Sequence, residues 1–124
     1  MTSINLFRNA TNVLNFSASQ TIFRQGQITD VIYIIIAGEI DIVVGGEIIA
    51  TVEAGNILGE MGLVGVTTRS ATAIARTDCK LVPISQRQFD FMVQQTPYFS
   101  SEVIEILCER LRSMNSYITQ KTLV

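Results

Sequence analysis

Glu60 and Arg69 stand nine positions apart in the segment GEMGLVGVTTRSAT, residues 59–72, with no other charged side chain between them. An arginine fork grips a phosphate through two hydrogen bonds, and the neighbouring Ser70 hydroxyl supplies a third. A carboxylate such as Glu60 accepts from a sugar hydroxyl. Gly59 to Val64 has the length of a single helical turn, whose first amides would be free to face an anion. The set suits a sugar phosphate. On spacing alone, a plain ion pair between Glu60 and Arg69 that closes the loop is the simpler account.

Composition removes other chemistries. The 124 residues contain no histidine, so imidazole-based catalysis and most transition-metal sites lack their usual group. The carboxylates Asp30, Glu39, Asp41, Glu47 and Glu53 fall at strand ends or alternate positions, the pattern of a solvated face rather than an acid and base pair. The chain therefore reads as a non-enzyme with no metal and no cofactor. Cys79 and Cys108 lack a CxxC pattern and are expected to be buried, reduced and without a role. A net charge of -2 offers no basic stripe for nucleic acid. The longest apolar run, Val31 to Ala37, is far shorter than a membrane span, and the start MTSINLFRNAT has no leader pattern. Neither nucleic acid nor membrane is expected as a partner of this chain alone, and the expected compartment is the cytoplasm.

The elements that must position Glu60 and Arg69 follow from periodicity. Short β-branched and aromatic segments separated by Gly, Asp, Asn and Gln predict an antiparallel all-β domain over roughly residues 12–84. The predicted strands are Val13 to Phe16, Thr21 to Arg24, Val31 to Ala37, Glu39 to Val44, Glu47 to Glu53, Ser70 to Ala75 and Cys79 to Ile84. Gly45-Gly46 between GEIDIVV and EIIATVE predicts a tight hairpin with positive φ. Gly26, Gly38 and Gly55 fall where the chain must change direction.

The period then becomes helical, over about residues 85–120. SQRQFDFMVQQ predicts a helix with Ser85 as N-cap, Phe89, Met92 and Val93 on one face, and a stop near Thr96-Pro97. A longer helix is predicted from Pro97 to Thr119. Its Ile104, Leu107, Leu111, Met114 and Ile118 step by three and four like a coiled-coil seam, and Val103 and Ile106 widen the stripe at its start. That spacing fits a homodimer through this helix and fits equally a helix packed on its own domain.

The segments FRQGQ, YIIIAGEIDI, AGNILGEMGL and TRSAT stand in an order and spacing that resembles the cyclic nucleotide-binding domain family, over about Phe16 to Ile118. This is the module of the bacterial catabolite activator, kinase regulatory subunits and cyclic nucleotide-gated channels. The resemblance implies an antiparallel β-roll, a jelly-roll-like double-stranded barrel, with a short phosphate-cassette helix and C-terminal helices. It implies that Arg69 clamps a cyclic phosphate with the Ser70 hydroxyl and the Ala71 amide, while Glu60 and the Gly59 backbone hold the ribose 2′-hydroxyl. Met61 and Ile49 would line the apolar wall. Met114 and Asn115 fall where the family's lid helix meets the base, and they depart from the two hydroxyl residues of the bacterial activator, which bears on base choice. Asn56, where the family often has Asp after Gly, and SASQTI, where a glycine usually precedes the second strand, are smaller departures.

The function so implied is a stand-alone sensor of cyclic AMP, ahead of cyclic GMP, in which the cassette is drawn inward and a hinge near Phe91 to Pro97 lets the long helix close. Its output would pass to an unidentified protein effector or a dimer mate. The alternative is a scaffold of the same fold whose long helix is the working surface.

Overall fold

The computed structural model describes residues 12–29, 31–61, 68–96 and 98–123, with backbone alone at Met114 and residues 117–123. In chain order the elements are β1 (Leu14–Phe16), β2 (Thr21–Phe23), β3 (Ile32–Ala37), β4 (Glu39–Val44), β5 (Glu47–Glu53), β6 (Ile57–Leu58), β7 (Thr72–Ala75), β8 (Cys79–Ile84), α1 (Gln86–Gln95) and α2 (Phe99–Leu123). The strands form two antiparallel sheets of four, ordered β1-β8-β3-β6 and β2-β7-β4-β5. This is the expected β-roll with C-terminal helices, and the two sheets stay distinct rather than closing into one barrel.

The sheet β1-β8-β3-β6 is covered on both faces. From β3, Ile32 and Ile34 join Ile57, Val82, Ile84 and the helix residues Phe99, Val103 and Ile106 in one cluster. On the opposite face Ile35, Leu58, Cys79 and Leu81 join Phe23, Ile40, Val52, Ala73 and Ala75 between the sheets. Because successive strand side chains alternate faces, a strand buried on both reads as the continuous apolar run IYIIIA. In the second sheet, the face of β4 turned away from the core carries the half-buried Asp41, which takes a hydrogen bond from the Thr51 hydroxyl at 2.8 Å and lies 3.7 Å from Arg76.

The β4–β5 hairpin closes with Val44 opposite Glu47, and Gly45 and Gly46 take φ of 57° and 80°. Two central residues with positive φ match the twist of the flanking strands, which explains the glycine pair. Gly26, Gly38 and Gly55 also have positive φ, as expected.

Several expectations need correction. The strand expected from Ser70 begins at Thr72, so Arg69, Ser70 and Ala71 form its approach. The two-residue β6 was not foreseen. The long helix runs from Phe99 to Leu123 rather than from Pro97 to Thr119, and Pro97 lies outside the described residues. In α1, Ser85 caps with its side chain accepting from the Gln88 amide while the Gln88 side chain accepts from the Ser85 amide, a complete capping box. Phe89 and Met92 pack on the core as expected, whereas Val93 is exposed, because it lies one position past the packed face. Cys79 is buried but Cys108 is exposed on α2. Asp30 and residues 62–67, which include most of the expected cassette helix, lie outside the described residues; Glu60 and Met61 open a 3₁₀ turn.

Along α2, Phe99, Val103 and Ile106 are buried in the roll, Leu107 is half-buried, and Ile104 and Leu111 are exposed. The start of the helix is thus packed on its own domain. Of the remaining seam positions, the side chains of Met114 and Ile118 lie outside the described residues. Among the described residues no helix is long and apolar enough to cross a membrane, and no group of three or more Cys, Asp or Glu could hold a metal ion.

Candidate functional site

Among the described residues, Arg69 is the only charged one whose side chain is buried, with 7% of its surface exposed. Its backbone is pinned on both sides: its amide donates to the Gln27 carbonyl at 2.7 Å and its carbonyl accepts from the Gly26 amide at 2.8 Å. One residue earlier, Thr68 bridges to Ile28. Its position is therefore set by the loop after β2, not by a strand at Ser70. The side chain turns inward, where Nη2 donates to the Val31 carbonyl at 2.6 Å. Its Cζ lies 4.2 Å from the centre of the Phe23 ring and 5.8 Å from that of Tyr33, and the two rings stack on each other. A guanidinium over aromatic faces is held electrostatically without using its hydrogen-bond donors. Nε is buried and has no hydrogen-bond partner among the described residues. Burial lowers the pKa of Arg69, opposed by the nearby Tyr33 and Glu60.

Gly59 explains how this guanidinium fits. A Cβ there would collide with Arg69 Nη1 and lie 3.3 Å from Cζ, and the residue has φ of 80°. Both facts require glycine. The LGE stretch thus opens space for an arginine ten residues later.

Glu60 does not use Arg69 as its ion-pair partner. Its Oε2 lies 2.6 Å from Arg110 Nη1, and Arg110 Nη2 donates to the carbonyl of Ile57. Arg110 belongs to α2 and is mostly buried, with Nε also lacking a hydrogen-bond partner. The loop-closing pair that spacing allowed is not formed. Arg110 was missed by sequence reasoning: it is one of two arginines between residues 105 and 115, and only the fold shows which helix position faces Glu60.

These groups enclose a cavity of about 550 Å³. Ile42, Val44, Ile49 and Ala50 from β4 and β5 and Leu58 from β6 form an apolar wall. Gly59, Glu60, Met61 and Thr68 to Ala71 form the polar side, and Leu107, Arg110 and Leu111 of α2 cover it. The structure thus brings together seven of the residues singled out from sequence: Ile49, Gly59, Glu60, Met61, Arg69, Ser70 and Ala71. Asn115 is exposed and is not among the cavity's described lining residues, and the side chain of Met114 lies outside the described residues.

The arrangement is an apolar slot with a desolvated guanidinium, a hydroxyl and a carboxylate along one side, which suits an anion joined to a flat apolar group. Comparison with known proteins agrees. The pattern of the cyclic nucleotide-binding domain matches residues 13–96. The chain is 29% identical over 103 residues to the Pycsar effector protein XpPycTIR of Xanthomonas perforans, covering 82% of this chain and 34% of that protein. It is 38% identical over 77 residues to the cGMP-dependent protein kinase of Plasmodium berghei, covering 60% of this chain and 9% of the kinase. The fold superposes with a TM-score of 0.78 on the c-di-GMP responsive global regulator CLP of Xanthomonas campestris, at 22% identity, covering 89% of this chain and 58% of that one. The chain thus spans about a third of the effector's length and under a tenth of the kinase's.

Proposed function

The chain belongs to the cyclic nucleotide-binding domain family, and from that premise we propose that its cavity binds a 3′,5′-cyclic nucleotide, cyclic AMP ahead of cyclic GMP, and signals through α2. One observation carries the reading: a buried arginine whose Nε has no partner among the described residues lines a slot that also holds Ser70 and Glu60. A cyclic phosphate brings acceptors to Arg69, Ser70 and the Ala71 amide, while the ribose 2′-hydroxyl donates to Glu60. Among the described lining residues, two guanidinium groups against one carboxylate leave a single positive charge, which a monoanionic phosphodiester balances. The apolar wall of Ile42, Val44 and Ile49 with Leu107 and Leu111 across from it supports the less polar adenine ring.

The chain acts as a binding module rather than an enzyme. A nucleotide touching both the cassette side and α2 favours the arrangement in which α2 is docked, and only that difference in affinity moves the equilibrium. The output passes to a protein effector or a dimer mate, for which the exposed Ile104 and Leu111 are the contact residues.

Isothermal titration of the purified protein with cyclic AMP, cyclic GMP and cyclic di-GMP tests this. Saturable heat with cyclic AMP, weaker with cyclic GMP, is expected. A folded protein that gives no heat with either cyclic mononucleotide refutes the reading, and the α2 surface would then be the working part of the domain.

A further inference from the structure

A second cavity, of about 400 Å³, shares no described lining residue with the one around Arg69. One wall is β8 from Val82 to Ile84, and the other is the face of α1 that carries Arg87, Phe91 and Met92. The opening follows from the strand ladder. β1 ends its pairing at Leu14 with Leu81, whereas β3 follows β8 on its other side as far as Ile84. Beyond Leu81, one flank of β8 has no strand beside it among the described residues, and Pro83, a residue tolerated where a strand has a free flank, sits in that stretch. Val82 and Ile84 belong to the core cluster that includes the helix residues, and Met92 packs against it. Phe23 and Leu58, which line the Arg69 cavity, belong instead to the cluster between the sheets.

We propose that this second cavity is a separate ligand site, for a free medium-chain carboxylic acid. Its wall is apolar: Val82 and Ile84 are core residues, and Phe91, 63% exposed, leaves most of an aromatic ring uncovered at the cavity. Among the described lining residues Arg87 is the only charged one, and it has no ion pair or hydrogen bond within the described part of the chain. It stands one turn before Phe91, on the same side of α1. The first turn of α1 holds no acid, so Arg87 adds to the positive end of the helix dipole instead of opposing it. A monoanion offsets both. At liquid density the volume takes about a dozen non-hydrogen atoms, the size of one acid of roughly ten carbons. A bounded cavity with one cation suits a single free acid rather than an anionic membrane, to which a chain of net charge -2 is not drawn. The guanidinium grips the carboxylate through its fork, and the tail lies along Val82, Ile84 and Met92 under Phe91.

Decanoate, below the concentration at which it forms micelles, is titrated into the full chain and followed through methyl resonances. Saturable one-to-one binding is expected, with shifts at Val82, Ile84 and Met92 and none at Ile42, Val44 and Ile49 of the nucleotide cavity. Decyltrimethylammonium, which has the same tail and the opposite charge, should bind about tenfold more weakly or worse. Arg87→Glu should lose about tenfold or more in decanoate affinity. The same variant should keep or gain thermal stability, because an acid in the first turn suits the dipole; a merely structural arginine would not separate the two. Arg69→Met and saturating cyclic AMP should leave decanoate affinity within about twofold, so this outcome stands apart from that of the nucleotide reading. No saturable binding by the full chain, the result if residues 1–11 occupy the groove, overturns the proposal. So do shifts at Ile42 and Ile49 that cyclic AMP abolishes, equal binding of the cationic analogue, or Arg87→Glu within about twofold of wild type. Association with anionic vesicles but not with free decanoate overturns it as well.

Discussion

Gly59→Ala isolates the space that Arg69 needs. Two separate penalties apply at this position. The first is backbone strain, since φ of 80° is left-handed and costs an alanine roughly 1–2 kcal/mol. The second is steric. The new Cβ meets Arg69 Nη1, the far end of a side chain that would ordinarily swing aside. Here it cannot do so freely, because the guanidinium lies over Phe23 and Nη2 donates to the Val31 carbonyl. Breaking that charge-assisted bond costs a further ~1.5–3 kcal/mol. The total is then about 2.5–5 kcal/mol. Gly46→Ala is the matched control, with the same φ of 80° and nothing within 4 Å of the added atom. It should show the strain without the collision, about 1–2 kcal/mol. Urea unfolding of the two variants gives the difference directly. Cyclic AMP titration should show a roughly tenfold or greater loss in Gly59→Ala, since each 1.4 kcal/mol of lost fork binding is about tenfold, and no change in Gly46→Ala. Equal destabilisation of the two variants, or unchanged nucleotide affinity in Gly59→Ala, would refute the claim that this glycine exists to admit the arginine.

Two further outcomes follow from the same geometry. Arg69→Met should abolish nucleotide binding and lower stability by about 1–3 kcal/mol, the cost of leaving the Val31 carbonyl without its donor, while a methionine fills the place beside Phe23; paired calorimetry and urea melts measure it, and retained nucleotide affinity would contradict it. Ser85→Ala removes one half of the capping box and should lower stability by about 1 kcal/mol without altering nucleotide affinity, read by the same two measurements.

The parts of the fold that were legible are those where a local pattern has one physical solution. A Gly45-Gly46 pair between alternating strands allows little but a hairpin, and Ser85 with Gln88 three residues on announces a helix start. The run Val31 to Ala37 was legible as a strand, but its two-sided burial was not, because an apolar run does not say how many layers cover it. Two-residue β6 is too short for any period to register. Resemblance placed Gly59, Glu60, Arg69, Ser70 and Ala71 on one cavity, as the structure does. It did not supply the ion pair, since Glu60 and Arg110 are fifty residues apart and their meeting depends on how α2 lies across β6. Asn115 was expected at the cavity from resemblance alone, and a helical stripe does not say how far along α2 its contact with the cavity runs.

The brief strand β6 has a consequence for how a disturbance would travel. It is an edge strand held by two register pairs, Tyr33 with Leu58 and Ile34 with Ile57, and its two side chains enter different cores. Ile57 packs with Phe99, Val103 and Ile106, its carbonyl accepts from Arg110, and the chain then passes directly through Leu58 to Gly59 and Glu60. Such a segment is held less by its own ladder than by the burial of both side chains. It ties the cassette to α2: Glu60 stands only three residues along the chain from Ile57, which packs against the root of that helix.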